Sequence, residues 1–306
     1  MNTSTIRCDC CLGSMHQLVP YGKYRHLTCT ACGHERFLSQ EETVSAKLYE
    51  DDADYNADLA IAKSHKDMLQ WNHIQAIRQI EAISKIKAPR VLDIGCFNGF
   101  FVKELRDRGF DATGIDFNRN ALAFGHTIYQ LEGHITARTL DDLNQHGEVF
   151  DVITMFEVVE HLEDFASVIG QALSLLRPYG VMIMSTPNSR MSWRPELDTP
   201  PHHLSRFTPT SVRRLMETSG LKVLFQAEQT SSFDLVRNYL GSLLRKKAVA
   251  SMRGGEFRNR LTANRLRTIA NRSKWVIYRL AAPIDALLYM MGMRYISQII
   301  VAKKLS

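Results

Sequence analysis

In residues 59–87 the apolar side chains of Ile61, Met68, Trp71, Ile74, Ile77, Ile80, Ile83 and Ile86 recur at three- and four-residue steps. This spacing lays one apolar stripe along an amphipathic helix. Ala88-Pro89 ends the stripe, because the residue before a proline is pushed out of the helical region. Strand-like and helix-like runs then alternate as far as residues 221–226, which predicts a parallel sheet with helices on both faces. A last strand, Ile296-Ser297-Gln298-Ile299-Ile300-Val301-Ala302-Lys303, comes only after roughly 65 more residues, far beyond an ordinary hairpin loop.

That insertion changes the picture. Residues 237–279 hold about a dozen Lys and Arg against one acid, Glu256, so the positive surplus there more than accounts for the chain's +6 formal charge. Trp275 to Met293 is largely apolar but broken by Arg279, Pro283 and Asp285, too interrupted for a transmembrane helix. One reading is a helical cap over the sheet with solvated arginines. The other is a membrane-surface element, since basic residues flanking Trp, Tyr and Leu suit the headgroup boundary. The expectation is a lid that also leans on an anionic surface.

The first strand ends in a glycine-punctuated loop, Val91-Leu92-Asp93-Ile94-Gly95-Cys96-Phe97-Asn98-Gly99. Gly95 and Gly99 are expected to let the backbone approach a ligand where a Cβ would collide. Phe97 stands where a dinucleotide fingerprint has its middle glycine. A second strand, Asp111-Ala112-Thr113-Gly114-Ile115-Asp116, closes on a carboxylate about 20 residues further on, placed to hold a ribose hydroxyl pair.

Five of the six cysteines lie in the first 32 residues. Cys8, Cys11, Cys29 and Cys32 form two Cys-x-x-Cys turns with glycines close behind, a spacing that suits a closed, structural, tetrahedral Zn²⁺ site in a short β-ribbon. Cys10 is read as a bystander, and His16, His26 and His34 as substitutes. About 35 residues cannot build a core, so the metal is expected to supply the folding energy there. No apolar run follows Met1, so the expected location is the reducing cytoplasm, peripheral to a membrane if the basic insertion docks there.

Two later segments decide the class: Phe150-Asp151-Val152-Ile153-Thr154-Met155-Phe156-Glu157-Val158-Val159-Glu160-His161-Leu162, then Leu176-Arg177-Pro178-Tyr179-Gly180-Val181-Met182-Ile183-Met184-Ser185-Thr186-Pro187-Asn188. With the glycine loop and Asp116 they resemble, in order, the motifs of the class I S-adenosylmethionine-dependent methyltransferases. The resemblance implies a Rossmann-like, seven-stranded α/β sheet with S-adenosyl-L-methionine as cofactor. It places Asp93, Gly95, Phe97 and Gly99 at the amino-acid part of the cofactor, Asp116 at its ribose, Asp141 near its adenine, and Phe156 at the end of the fourth strand. For Asp141 and Asp142 a helix N-cap is the competing role.

The segment Glu157-Val158-Val159-Glu160-His161 resembles Glu-x-x-Glu-His in the O-methyltransferases of ubiquinone synthesis and in the small-RNA terminal 2′-O-methyltransferases. These add a later histidine, for which Pro201-His202-His203 offers His202 as the closer match. The implied ligand set is Glu157, Glu160, His161 and His202, with Mg²⁺ or Mn²⁺ favoured by its carboxylates. Without a metal, His161, His202 or His203 would serve as general base. Ribbon, connector and core together resemble bacterial methyltransferases of cell-surface glycan and natural-product pathways, so the expected acceptor is a sugar or other small-molecule hydroxyl.

The rival reading is an RNA methyltransferase that uses the ribbon and the basic insertion on phosphates. The ribbon lacks the aromatic and arginine clustering of a stacking platform, which argues against nucleic acid. A third reading, a cofactor-free scaffold, conflicts with the intact Asp93 and Asp116. The expected organisation is a zinc ribbon over 1–37, connector and helices over 38–88, a catalytic domain over 89–229, a basic helical insertion over 230–294 and a final strand over 295–306.

Overall fold

The computed structural model describes residues 6–39, 69–83, 89–195, 198–229, 274–294 and 296–305, with side chains of 274–279 excepted. The acidic connector and the most basic part of the insertion lie outside these residues.

The predicted amphipathic helix is present as α1 (Trp71–Ile83), with Ala76, Ile77 and Ile80 buried. The catalytic sheet then follows from β4 (Arg90–Ile94), α2 (Phe100–Asp107), β5 (Asp111–Ile115), α3 (Arg119–Tyr129), β6 (Ile135–Thr136), α4 (Leu140–Gln145), β7 (Phe150–Phe156), α5 (Phe165–Leu175) and β8 (Leu176–Pro187). After β9 (Ser205–Arg206) come α6 (Pro209–Thr218), β10 (Leu221–Glu228), α7 (Lys274–Met290) and β11 (Ser297–Lys304). The seven strands run in the order β10-β11-β8-β7-β4-β5-β6. β11 is antiparallel to both neighbours, whereas β8, β7, β4, β5 and β6 are parallel. This is the Rossmann-like methyltransferase sheet with a helical insertion before its last strand, as expected.

Successive side chains point to opposite faces of a strand, and both faces here are apolar. Leu92, Ile153, Met182 and Ile300 join one buried cluster, while Val91, Val152, Ile183 and Val301 join the other. Helix starts follow local chemistry. Asn118 and Asp164 cap α3 and α5, and Thr208 caps α6 with Pro209 in its first turn. Thr139 and Asp142 form a capping box on α4.

The ribbon departs from expectation. Its strands β1 (Met15–Gln17), β2 (Tyr24–Cys29) and β3 (Glu35–Ser39) form a sheet whose fourth strand is β9 of the catalytic domain. Glu35 pairs with Arg206 and Arg36 with Ser205. The ribbon's Cys8, Cys10, Met15, Leu27, Cys29 and Cys32 belong to the same apolar cluster as Phe165, Phe207 and Met216. Metal alone therefore does not carry the ribbon's stability, because the ribbon borrows the core of its neighbour.

Phe207 is the joint. It is fully buried, lies 4.9 Å from the His34 ring and 5.2 Å from that of Phe165. Phe207→Ala should cost about 3–5 kcal/mol of unfolding free energy. In urea, ribbon and sheet should unfold in one transition at a lower midpoint. Two separated transitions would show that the ribbon folds independently.

Candidate functional site

The loop after β4 is built by its own backbone and by its neighbours. Gly95 and Gly99 have φ of 74° and 76°, a region that glycine reaches without strain. A Cβ at Gly95 would lie 2.5 Å from the Val158 side chain, and one at Gly99 would lie 2.7 Å from Leu131. The Cβ directions at both glycines are thus filled by protein side chains, so these positions need glycine for packing as well as for backbone conformation. The loop is pressed from behind by α3, where a Cβ at Gly125 would sit 2.2 Å from the Asn98 carbonyl oxygen.

Asp116 is buried; its Oδ2 accepts from the Phe97 N–H (2.8 Å) and its Oδ1 from the Asn118 N–H (2.7 Å). Burial raises its pKa, an effect offset in part by those two bonds. Asp93 is buried and accepts from the Thr154 hydroxyl at 2.6 Å. Burial lifts its carboxyl to about 7 against that bond. Two acids therefore lie buried at the carboxyl ends of β4 and β5, where open α/β sheets hold ligands. Phe156 ends β7, its ring 4.9 Å from both Phe101 and His73. Asp141 is exposed in the first turn of α4. The cap of that helix is Thr139, with Asp142 completing it.

A short 3₁₀ turn (Val159–His161) follows β7, the strand paired with β4. Ligand-capable atoms of Glu160, His161 and His203 lie within 4.8 Å of one another. The histidine expected in this set was His202. The structure brings in His203 instead, with its ring 4.7 Å from that of His161, while His202 contributes its carbonyl oxygen, which accepts from His161 Nδ1 at 2.7 Å. That bond fixes Nδ1 as the protonated nitrogen and leaves Nε2 with the lone pair. Burial, then the neighbouring His203, drives the His161 pKa down to about 3, so the ring is neutral: a good metal ligand and a weak base.

Glu157 is not part of the three-residue set. Its Oε1 accepts from the hydroxyls of Ser185 (2.8 Å) and Ser297 (3.1 Å), and burial raises its pKa. Glu160 is raised further, by burial and then by the charge of Glu157. Its Oε2 accepts from Thr186 at 3.3 Å, whereas its Oε1 is buried with no hydrogen-bond partner. Asn72 on α1 donates to Ser185 at 2.9 Å, and Asp198 accepts from His203 Nδ1 at 2.7 Å. Sequence reasoning missed both. The only signal for Asn72 was a polar residue beside the apolar stripe of a helix.

In the ribbon, Cys8, Cys11, Cys29 and Cys32 converge within 4.8 Å. The Cys8–Cys32 and Cys11–Cys29 sulfurs are 3.6 and 3.5 Å apart, close to the roughly 3.8 Å edge of a tetrahedron with Zn–S near 2.3 Å. The donor set fits zinc. Leu12, not Gly13, takes the left-handed position of the first knuckle (φ 62°), while Gly33 takes it in the second (φ 74°). Cys10 is less of a bystander than expected, since it forms a second close group with Cys8 and His34.

The profile of a family described as a methyltransferase domain matches residues 63–226, just over half of the chain. The chain belongs to that family. A Mycolicibacterium smegmatis protein named as a probable S-adenosylmethionine-dependent methyltransferase is 32% identical over 135 residues, 44% of this chain and 52% of that protein. A ubiquinone biosynthesis O-methyltransferase of Haemophilus ducreyi is 34% identical over 128 residues, 39% of this chain and 52% of the relative. The chain thus spans about half the length of these curated relatives. Phosphoethanolamine N-methyltransferase 2 of Haemonchus contortus, solved with S-adenosyl-L-methionine, shares the fold with a TM-score of 0.57 at 15% identity, over 89% of this chain and 62% of that one.

Within this methyltransferase domain, Asp93 should show itself by pH. A carboxyl whose folded pKa is raised to about 7 favours the folded state fully below its unfolded pKa, and that contribution is lost as pH rises through about 7. The stability of wild type relative to Asp93→Asn should therefore fall between about pH 4 and pH 8. Urea unfolding of both proteins across that range measures it. A difference independent of pH would show that Asp93 ionises normally.

Proposed function

We propose that this chain is an S-adenosylmethionine-dependent methyltransferase that methylates a hydroxyl of a sugar or another small molecule. One observation carries the reading: the convergence of Glu160, His161 and His203 just after β7, the strand paired with the one that carries the buried Asp93, in a chain of the methyltransferase domain family. Oxygen is favoured over nitrogen as acceptor because relatives named as O-methyltransferases are 34% identical, whereas the N-methyltransferase likeness is one of fold.

The cofactor supplies an electrophilic methyl group on a sulfonium. Asp116 would hold its ribose, the loop from Gly95 to Gly99 and Asp93 its amino-acid end, and Phe156 and Asp141 would flank the remainder. Asp93 would ionise on meeting the ammonium. Glu160, His161 and His203 would orient the acceptor hydroxyl. They also suit Mg²⁺ or Mn²⁺, since Glu160 brings a buried carboxylate oxygen without a partner and His161 a neutral ring. An ion held there lowers the pKa of an acceptor hydroxyl.

Asp116→Ala should weaken S-adenosylmethionine binding by about 1.5–3 kcal/mol, as truncation of a hydrogen-bonded charged partner does. Calorimetry reads this directly, and unchanged affinity would remove Asp116 from the cofactor site. The metal reading is sharper. Mn²⁺ binding, followed by electron paramagnetic resonance, should weaken by roughly tenfold or more in Glu160→Gln and in His203→Ala. It should survive His202→Ala, which keeps the backbone carbonyl that His161 uses. Loss in His202→Ala with retention in His203→Ala would overturn the ligand set.

A further inference from the structure

The outer face of α7 is apolar and open. Leu280, Ile284, Leu287, Met290 and Met291 are 74, 59, 53, 77 and 75% exposed, and positions 280, 284, 287 and 291 follow the helical repeat along one stripe. The opposite face is anchored. Asp285 is buried, the Tyr289 hydroxyl donates to Glu228 of β10 at 3.0 Å, and Arg294 donates to the Tyr289 carbonyl at 3.0 Å. The one acid of the helix is thus turned inward. The exposed positions 282, 283 and 286 are Ala, Pro and Ala, so the outward face from Leu280 to Met291 carries no charge.

Scattered exposed apolar residues need no explanation, but a continuous stripe over about three helical turns does. We propose that this face docks on an anionic lipid bilayer, with α7 lying in the plane of the headgroup boundary. The chain entering the helix supports that partner: residues 237–279 hold about a dozen Lys and Arg against one Glu, the composition that a negatively charged leaflet attracts. The same charge disfavours a second copy of this chain as occupant, because stripe-to-stripe pairing would bring two strongly basic segments together. No described helix is long and apolar enough to cross a membrane, which agrees with a helix that lies on the surface.

Past the end of α7, the Arg294 N–H donates to the Ser192 hydroxyl at 2.8 Å and the Ser192 N–H to the Arg294 carbonyl at 2.9 Å. These bonds tie the helix to the loop that goes on to Asp198 and His203. The docking itself does not depend on the methyl-transfer reading.

The test is co-sedimentation of the full chain with phosphatidylcholine vesicles with and without phosphatidylglycerol. Wild type should pellet with the anionic vesicles, and binding should fall as salt rises. The triple variant Leu280→Ser, Ile284→Ser, Leu287→Ser changes only exposed positions, so its circular dichroism should match wild type while vesicle binding falls by roughly tenfold or more. Absence of pelleting, equal pelleting with neutral vesicles, or full binding by the triple variant would each overturn the proposal. Light scattering that shows a dimer only in wild type, with no vesicle binding, would assign the stripe to a second copy.

Discussion

Asp198 is the constraint on which the group of Glu160, His161 and His203 depends. Its side chain is buried, and a buried carboxylate is tolerated only when paired. Burial alone would raise its pKa, but the bond from His203 and the charges of Arg194 and Arg206 outweigh it and hold the group ionised, below the usual range. Arg194 pairs with its Oδ2, Arg206 donates to its backbone oxygen at 2.9 Å, and His203 donates from Nδ1. Removing one partner would leave part of a buried charge uncompensated, a change that costs about 3–5 kcal/mol in such sites.

That same knot sets the chemistry of His203. A neutral His203 that donates from Nδ1 to Asp198 would present Nε2 as its lone-pair nitrogen, the carboxylate–histidine arrangement that orients metal-ligating imidazoles. Arg206 carries the constraint further. It bonds Glu35 of the ribbon at 3.1 Å and lies 4.8 Å over the Phe37 ring, while Glu35 also bonds His26 at 2.8 Å. The ribbon thus contacts, at one remove, the residue that orients His203. Thr208 strengthens the joint by donating to the Cys32 carbonyl at 2.6 Å. The cysteine cluster shapes the second knuckle, and that knuckle is bonded to the segment behind the site.

This coupling was hidden in the sequence for a physical reason. Strands such as Val91–Ile94 and Phe150–Phe156 announce themselves locally, through apolar runs and the loops that follow. The β3–β9 pairing joins two residues to two others about 170 positions away, and nothing in Ser205-Arg206 marks it. Adjacent histidines pose a similar problem: His202 and His203 differ by one position, and only the backbone of the loop decides which side chain turns toward His161. The glycines were legible as a loop, but a spacing cannot show that the Val158 side chain fills the space beside Gly95.

Two of the five non-glycine residues at positive φ among the described residues lie in the loops after β4 and β7. Phe97 and Glu157 have φ of 51° and 54°, in the left-handed region that costs a residue bearing a Cβ about 1 kcal/mol or more. Both follow the carboxyl ends of adjacent parallel strands, β4 and β7. Each is held there by a backbone bond, Phe97 N–H to Asp116 and Glu157 N–H to the Ser185 carbonyl at 3.0 Å. Strain of this kind persists only where surroundings over-determine it. Here the surroundings are the two buried acids on one side and the serine-bonded Glu157 on the other. The same geometry that bends the chain at Phe97 brings its N–H to Asp116, and the bend at Glu157 turns the chain into the short helix that carries Glu160 and His161. Replacing either residue with glycine would relieve the strain while giving up the side chain, and at Glu157 that side chain is the one bonded by Ser185 and Ser297.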